Sequence, residues 1–92
     1  MEDLLKIIAE ISGLNIAQIT SERRYRQPVF CRMIFSNIAI WQLKYGIRDV
    51  ASFINRKRTT VSDYLKKYDD EYKYNKEFRA FADKVIAKMK NP

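Results

Sequence analysis

Apolar side chains recur three and four positions apart along much of this chain, and this spacing constrains the fold more than any other feature. Leu4, Ile7, Ile8 and Ile11 set the period near the start, which is typical of an amphipathic α-helix. Only two Gly and two Pro interrupt the 92 residues, so long regular elements are expected rather than many short strands. The sequence predicts an all-α fold, a small multi-helix domain.

The length and composition predict one folded unit. A chain of 92 residues, 47% of them hydrophobic, has room for one core and is too apolar to stay disordered. We therefore expect residues 1–92 to form a single helical domain. No run approaches the roughly 18 apolar residues that span a bilayer, so no membrane contact is expected. The single Cys31 cannot form an internal disulfide, which favours a reducing, cytoplasmic location.

Histidine is absent from the sequence, and this narrows the chemistry. Histidine is the commonest general base and metal ligand near neutral pH, and with no His and one Cys the common zinc sites and Ser-His or Cys-His systems are unavailable. Gly13 and Gly46 stand alone, so there is no Gly-rich phosphate loop. We expect no catalytic residue, no metal, no cofactor and no small-molecule substrate, and therefore no enzyme.

The positive charge is concentrated in the middle third of the chain. The whole sequence has a net charge of +7, and residues 23–58 contain nine basic residues and one acid, Asp49. Such a segment creates a positive potential that attracts a polyanion. Two basic clusters, at 23–26 and 56–58, fall in predicted turns rather than along one amphipathic face. This placement favours nucleic acid over a membrane.

Caps and breaks predict where the helices begin and end. We expect a helix from Glu2 to Ser12, closed by Gly13, and one helical turn over residues 15–19 with Asn15 as its N-cap. Pro28 suits the first position of a buried central helix that ends at Gly46.

The apolar side chains of this central helix are expected to be buried, with Trp41 in the core rather than on a binding surface. The apolar positions of the predicted central helix are Val29, Met33, Ile34, Ile38, Trp41 and Leu43.

A helix-turn-helix is predicted at about residues 47–68. The first helix covers residues 48–54, with Val50, Ala51, Phe53 and Ile54 directed inward. The pair Asn55-Arg56 is the break, because Asn tolerates a left-handed backbone. A second helix begins near Arg58 and continues through Tyr68, and Asn75 can cap a last helix.

The start of the second helix has the composition of a DNA-reading turn. In a helix-turn-helix this turn enters the major groove. Arg can bond O6 and N7 of guanine, and Thr can place its methyl on thymine. The free N–H groups near Arg48 and Arg58 can bind phosphate. The alternative interpretation is that Thr59 or Thr60 merely caps the helix.

Four segments together resemble a known family. They are residues 5–10 (LKIIAE), residues 15–19 (NIAQI), residues 21–26 (SERRYR) and residues 56–61 (RKRTTV). The last is similar to an Arg-Asp-His-Thr-Thr-Val motif, and the third to a basic loop, in the C-terminal DNA-binding domain of the bacterial replication initiator DnaA. That domain is a relative of the Trp-repressor fold, and the resemblance covers nearly the whole chain.

The resemblance implies a role for several residues. Arg24 matches a minor-groove arginine, Arg26 and Arg32 match phosphate-binding side chains, and Lys57, Arg58 and Thr59 match the base-reading positions. Thr60 matches a contact with the DNA backbone or a neighbouring thymine. Together with the helix starts, the expected DNA-binding residues are Arg24, Arg26, Arg32, Arg48, Arg56, Lys57, Arg58, Thr59, Thr60 and Ser62.

The sequence also departs from the family. The Asp-His pair of the motif is Lys57-Arg58 here, and replacing an acceptor by a donor changes which base can be read. An Arg-Pro-Arg-Gln stretch of the family corresponds to residues 30–33 (FCRM), and nothing corresponds to its ATPase portion. We expect sequence-preferring binding of double-stranded DNA at an origin or regulatory site, without ATPase activity, by a bacterial or phage-type, nucleoid-associated protein.

Two other functions remain open from the sequence. Tyr68, Tyr72 and Tyr74, beside the acidic residues 69–71, can form the surface of a protein-interaction module. RNA binding needs aromatic residues among the basic ones, and Tyr25 is the only aromatic residue in the 23–26 cluster.

Overall fold

A computed structural model describes residues 1–21 and 26–90 of the chain, and these fold into helices without a strand. The described helices are α1 (Glu2–Ser12), α2 (Ile16–Thr20), α3 (Arg26–Trp41), α4 (Ile47–Phe53), α5 (Arg58–Tyr74) and α6 (Lys76–Lys90). The all-α, multi-helix prediction is confirmed. Within this part of the chain, no helix combines the length and the apolar character needed to cross a membrane.

The first two helices end and begin as the caps predict. Gly13 closes α1 with a φ of 78°, and its N–H donates to the Ala9 carbonyl at 3.0 Å. Asn15 then opens α2 with a capping box. Its Oδ1 accepts from the Gln18 N–H at 2.7 Å, and its own N–H donates to Gln18 Oε1 at 2.9 Å. The Gly13 cap and the capping box therefore each satisfy backbone groups that would otherwise be unpaired at these helix ends.

Helix α3 runs through the centre of the molecule and contacts α1, α2, α4 and α5. It begins at Arg26, two residues before the predicted start at Pro28. The N–H groups of a helix's first turn have no acceptor within the helix. Pro28 is the third residue of the helix, so it removes no hydrogen bond. Because Pro is tolerated throughout a first turn, it does not by itself determine at which residue the helix begins.

The C-terminal end of α3 differs from the prediction. The helix ends at Trp41, and Lys44 adopts a φ of 64° in the loop that follows. Gly46 is instead the N-cap of α4. Because the chain turns away after Trp41, that side chain is 59% exposed and Leu43 is exposed too. The predicted burial of both residues is wrong.

Helices α4 and α5 are joined by a tight turn. The Arg56 N–H donates to the Ala51 carbonyl at 2.8 Å, and the Asn55 N–H donates to the Ser52 carbonyl at 3.2 Å. Asn55 has a φ of 55°. This pair of bonds around a left-handed residue is a Schellman motif. The predicted break at residues 55–56 is confirmed.

One inward position of α4 was assigned incorrectly. Val50, Ala51 and Ile54 are buried as predicted, but Phe53 is 38% exposed. The Phe53 ring stacks on the ring of Phe35 with a centroid distance of 5.6 Å. The side chain therefore covers the edge of the core instead of entering it.

Helix α5 continues through the acidic residues 69–71 and ends at Tyr74, farther than predicted. Asn75 caps α6 as predicted, because its Oδ1 accepts from the Phe78 N–H at 3.1 Å. Arg79 then reaches back and donates to the carbonyls of Tyr72 at 2.9 Å and Lys73 at 2.7 Å. These bonds fix the corner between α5 and α6, and α6 covers α1 and α5.

Candidate nucleic-acid interface

The start of α5 has exposed cations and no side-chain cap. Lys57 is the N-cap residue and forms no side-chain capping bond. The first helical bond runs from the Val61 N–H to the Lys57 carbonyl at 3.1 Å. Neither Thr59 nor Thr60 is the N-cap, so the capping interpretation of these threonines is wrong. The positive end of the helix dipole is therefore available to an anion.

Helix α5 has one buried face and one exposed face. Val61 and Tyr64 are buried against the core. Arg58, Thr59 and Asp63 are exposed on the other side. The side chains that could read a ligand are therefore separate from those that hold the helix in place.

An open groove lies between the start of α3, the α4–α5 turn and one flank of α5. Parts of the chain that are distant in sequence meet in this groove. Val29 lies in the first turn of α3, and Lys57 immediately precedes α5. The groove is lined by Val29, Arg32, Asn55, Arg56, Lys57, Thr60, Asp63, Tyr64 and Lys67. Lys57, Thr60 and Lys67 thus face the same space beside the start of α3.

Ser62 lies on the opposite flank of α5. It lines a second groove together with Trp41, Leu65 and Lys66. The residues predicted to bind from α5 are therefore divided between two sides of one helix. A ligand that contacts both Thr60 and Ser62 must lie across the exposed face between them.

Three further predicted residues belong to other elements. Arg26 is exposed at the start of α3, where its guanidinium lies 5.2 Å from the centre of the Phe30 ring. Arg48 is exposed in the first turn of α4. Arg24 lies outside the described residues, and its predicted minor-groove role stays a prediction.

Arg32 was predicted to hold phosphate, and its position in the structure corrects this. The side chain is 2% exposed. Its Nε donates to the Tyr64 hydroxyl at 3.0 Å, and its Nη1 donates to the Ile19 carbonyl at 2.7 Å. A guanidinium that is buried in this way donates to the protein's own oxygens, so the structure does not present it to a DNA phosphate.

Arg56 is half-buried and also binds within the protein. Its Nη1 donates to the Asn55 carbonyl at 2.9 Å and its Nη2 donates to the Ser21 carbonyl. A weaker bond joins Nη1 to the Thr20 carbonyl at 3.4 Å. Arg56 thus differs from Lys57 and Arg58, the other two cations of the 56–58 cluster, which are exposed.

The sequence prediction missed two lysines at this interface, Lys66 and Lys67. Asp63 and Lys67 line the groove with Thr60, and Lys66 lines the other groove with Ser62. Helical spacing could have found them, since Lys66 lies four residues after Ser62 and Lys67 seven residues after Thr60. No cluster of potential metal ligands occurs in residues 1–21 and 26–90.

These features define a helical domain whose two-helix unit has the form of a helix-turn-helix, with exposed cations where the second helix begins. No protein-family model matches the chain. Over 90 residues it is 31% identical to the chromosomal replication initiator protein DnaA of Thermotoga maritima and of Thermotoga sp. (strain RQ2), and 28% identical to that of Thermotoga petrophila.

Each of these alignments covers 97% of this chain and 20% of the relative. The chain therefore spans about a fifth of the length of the relatives that it matches. The predicted resemblance to DnaA is confirmed, and the matches are consistent with a domain like the C-terminal domain of that protein.

Proposed function

We propose that this chain binds double-stranded DNA with a preference for sequence, at an origin or regulatory site, in a DnaA-like role in replication initiation. The observation that carries the proposal is the start of α5, where Lys57 and Arg58 are exposed beside backbone N–H groups that no side chain caps. The similarity to replication initiator proteins supports it. The chain itself acts as a binding module, without ATP hydrolysis or other catalysis.

The base-reading residues lie in the first turns of α5. Arg58 and Thr59 enter the major groove, where Arg recognises guanine and Thr can contact a thymine methyl. Asp63 is one turn farther along the exposed face. As an acceptor it suits the amino group of cytosine. Ser62 and Lys66 lie beside them on one flank.

Other cations bind the phosphates on either side. Arg48 does so at the start of α4, together with the free N–H groups of that helix. Arg26 does so at the start of α3. Thr60 and Lys67 face the groove that would run along one DNA strand. Arg24 contributes from the basic loop to the adjacent minor groove.

The protein-interaction alternative loses much of its predicted surface. Tyr68 is buried and packs against the ring of Phe78 with a centroid distance of 5.3 Å. Tyr72 is half-buried, and its hydroxyl donates to Asp83 Oδ1 at 2.6 Å. Only Tyr74 of the three tyrosines is freely exposed, at 75%. DNA binding is therefore the function that the geometry supports best.

A selection from random duplex DNA tests both binding and site. The wild-type chain is expected to enrich a short preferred sequence. Arg58→Ala should change that preference, at about 1–3 kcal/mol for the base pair that Arg58 reads.

Arg48→Ala is the matched control, because it removes one exposed arginine from a helix start without touching the reading turn. It should weaken all sequences alike. If the wild-type chain enriches no sequence, or if both variants lose affinity uniformly, the assigned roles are wrong.

A further inference from the structure

Two guanidinium groups converge on the C-terminal end of α2 and its C-cap residue, Ser21, from different parts of the fold. Arg32, on α3, donates to the carbonyls of Ile19 at 2.7 Å and Ser21 at 3.2 Å. Arg56, in the α4–α5 turn, donates to the same Ser21 carbonyl. The Ser21 oxygen thus receives donors from both arginines, and we call this arrangement the arginine clamp.

The clamp also contacts α5 and the turn that precedes it. Arg32 donates through Nε to the hydroxyl of Tyr64, which is a buried residue of α5. Arg56 donates to the carbonyl of Asn55, the left-handed residue of the turn. Each arginine therefore joins the end of α2 to one part of the two-helix unit.

Only a planar group with several donors can form these bonds together. The guanidinium has five N–H donors in a fixed plane, whereas the lysine ammonium is a compact point charge. The substitution of Arg56 by Lys would keep the charge but could not reach both the Asn55 and Ser21 carbonyls in the same geometry. Replacing Arg56 by Lys therefore separates the effect of its positive charge from the effect of its hydrogen-bond geometry.

We propose that Arg56, supported by Arg32, is a positioning residue that sets the orientation of the first turn of α5, rather than a contact to DNA. Arg56 immediately precedes Lys57 and Arg58, so a shift of the turn moves the reading side chains directly. The proposal rests on the proposed DNA binding and deepens it. It assigns sequence discrimination partly to a residue that does not touch DNA.

The test compares Arg56→Lys with the matched control Arg79→Lys, which alters an arginine that also donates to backbone carbonyls but lies at the corner between α5 and α6, outside the proposed interface. Affinity for the selected duplex, affinity for a scrambled duplex, and the salt dependence of both are measured. Arg56→Lys should lower the ratio of the two affinities by about tenfold, within the usual range for coupled neighbours, and leave the salt slope unchanged because the charge is kept. Arg79→Lys should change neither quantity.

Two further variants separate positioning from phosphate binding and from misfolding. Arg56→Ala should lower discrimination while the salt slope stays within about 0.3 of wild type. A direct phosphate contact would instead lower that slope by about 0.9. Tyr64→Phe removes only the hydroxyl that accepts from Arg32, and it should reduce discrimination with no change in charge. All variants are compared at temperatures where circular dichroism reports them fully folded.

The outcomes distinguish this inference from the proposed function. If the wild-type chain discriminates between duplexes but Arg56→Lys discriminates equally well, the positioning role is refuted and DNA binding stands. A loss of about 0.9 in the slope of Arg56→Ala, with discrimination intact, refutes it as well. If the wild-type chain binds no duplex, the proposed function itself fails.

Discussion

Cys31 lies in the buried centre of α3. Burial raises the pKa of its thiol from 9.0 to about 11, and this effect outweighs the hydrogen bond with Ser12 and the nearby charge of Arg32, both of which lower that pKa. Since the thiolate is the reactive form of cysteine, the Cys31 thiol is inert near neutral pH while the chain is folded.

The raised pKa predicts a pH-dependent loss of stability. Below pH 9 the thiol is protonated in both states, whereas between pH 9 and about 11 the unfolded chain ionises first. The free energy of unfolding should therefore fall as pH rises through this window, by up to roughly 2–3 kcal/mol from this residue. Urea unfolding from pH 8 to 11 measures it in the wild type and in Cys31→Ala. Parallel curves for the two proteins would contradict the prediction.

The two arginines Arg32 and Arg58 illustrate what the sequence can reveal about single residues. Both belong to the basic segment of residues 23–58, which the distribution of charge along the sequence identifies. Their burial differs because Arg32 lies between Cys31 and Met33 in the core helix, whereas Arg58 begins a helix. A basic residue flanked by buried apolar neighbours is thus a candidate for binding backbone carbonyls. Which carbonyls accept from Arg32 could not be predicted, because they belong to another element, at the end of α2.

The turn between α4 and α5 depends on the backbone of Asn55. Its φ of 55° lies in the left-handed region, which non-glycine residues other than Asn and Asp seldom adopt. The two backbone bonds of the Schellman motif form only with that conformation. The relative placement of the two helices therefore depends on this dihedral angle as well as on the contacts of Arg56 and Arg32.

Substitutions at Asn55 test this dependence. Asn55→Ala should lower the free energy of unfolding by about 1–2 kcal/mol, because a left-handed backbone is strained for alanine. Asn55→Gly is the matched comparison, since it also removes the side chain but tolerates positive φ, and it should remain more stable than Asn55→Ala. Thermal and urea unfolding measure both. Equal stability of the two variants would mean that the turn does not need this conformation.

Helix boundaries could be predicted where the signal is local. Gly13, Asn15 and Asn75 act within three or four residues of their own position, and each was identified as a cap. The end of α3 was missed because Lys44, which gives no such signal, takes the left-handed conformation there. The length of α5 was missed because its acidic residues 69–71 resemble a loop, although Arg79 of α6 donates to the carbonyls at its end.

Across the described residues, exposed cations stand at the starts of α3, α4 and α5. Arg26, Arg48, Lys57 and Arg58 are all exposed, and the groove that Lys57 lines includes residues from α3, the turn and α5. The concentration of basic residues between positions 23 and 58 is evident from the sequence. The mutual approach of α2 and the turn could not be predicted, because it depends on contacts between distant residues such as Ser21 and Arg56.

This distribution predicts a strong salt dependence of binding. If roughly six phosphates are contacted, a plot of log affinity against log salt concentration should have a slope near −5 for duplex DNA. A fluorescence titration between low and physiological salt measures it, with a neutral backbone analogue of the same duplex as the control. A flat response would contradict DNA binding through phosphates and favour a protein-interaction module.

The separation of the two faces of α5 affects which positions of the sequence can change while the fold is kept. Val61 and Tyr64 anchor the helix, whereas Thr59, Asp63 and Lys66 are exposed and carry none of that packing. Substitutions at the exposed positions can therefore accumulate without loss of the fold, and each one alters the chemistry offered to the ligand. A scaffold of this kind can be retargeted to a new site by a few surface changes while its interior stays as it is.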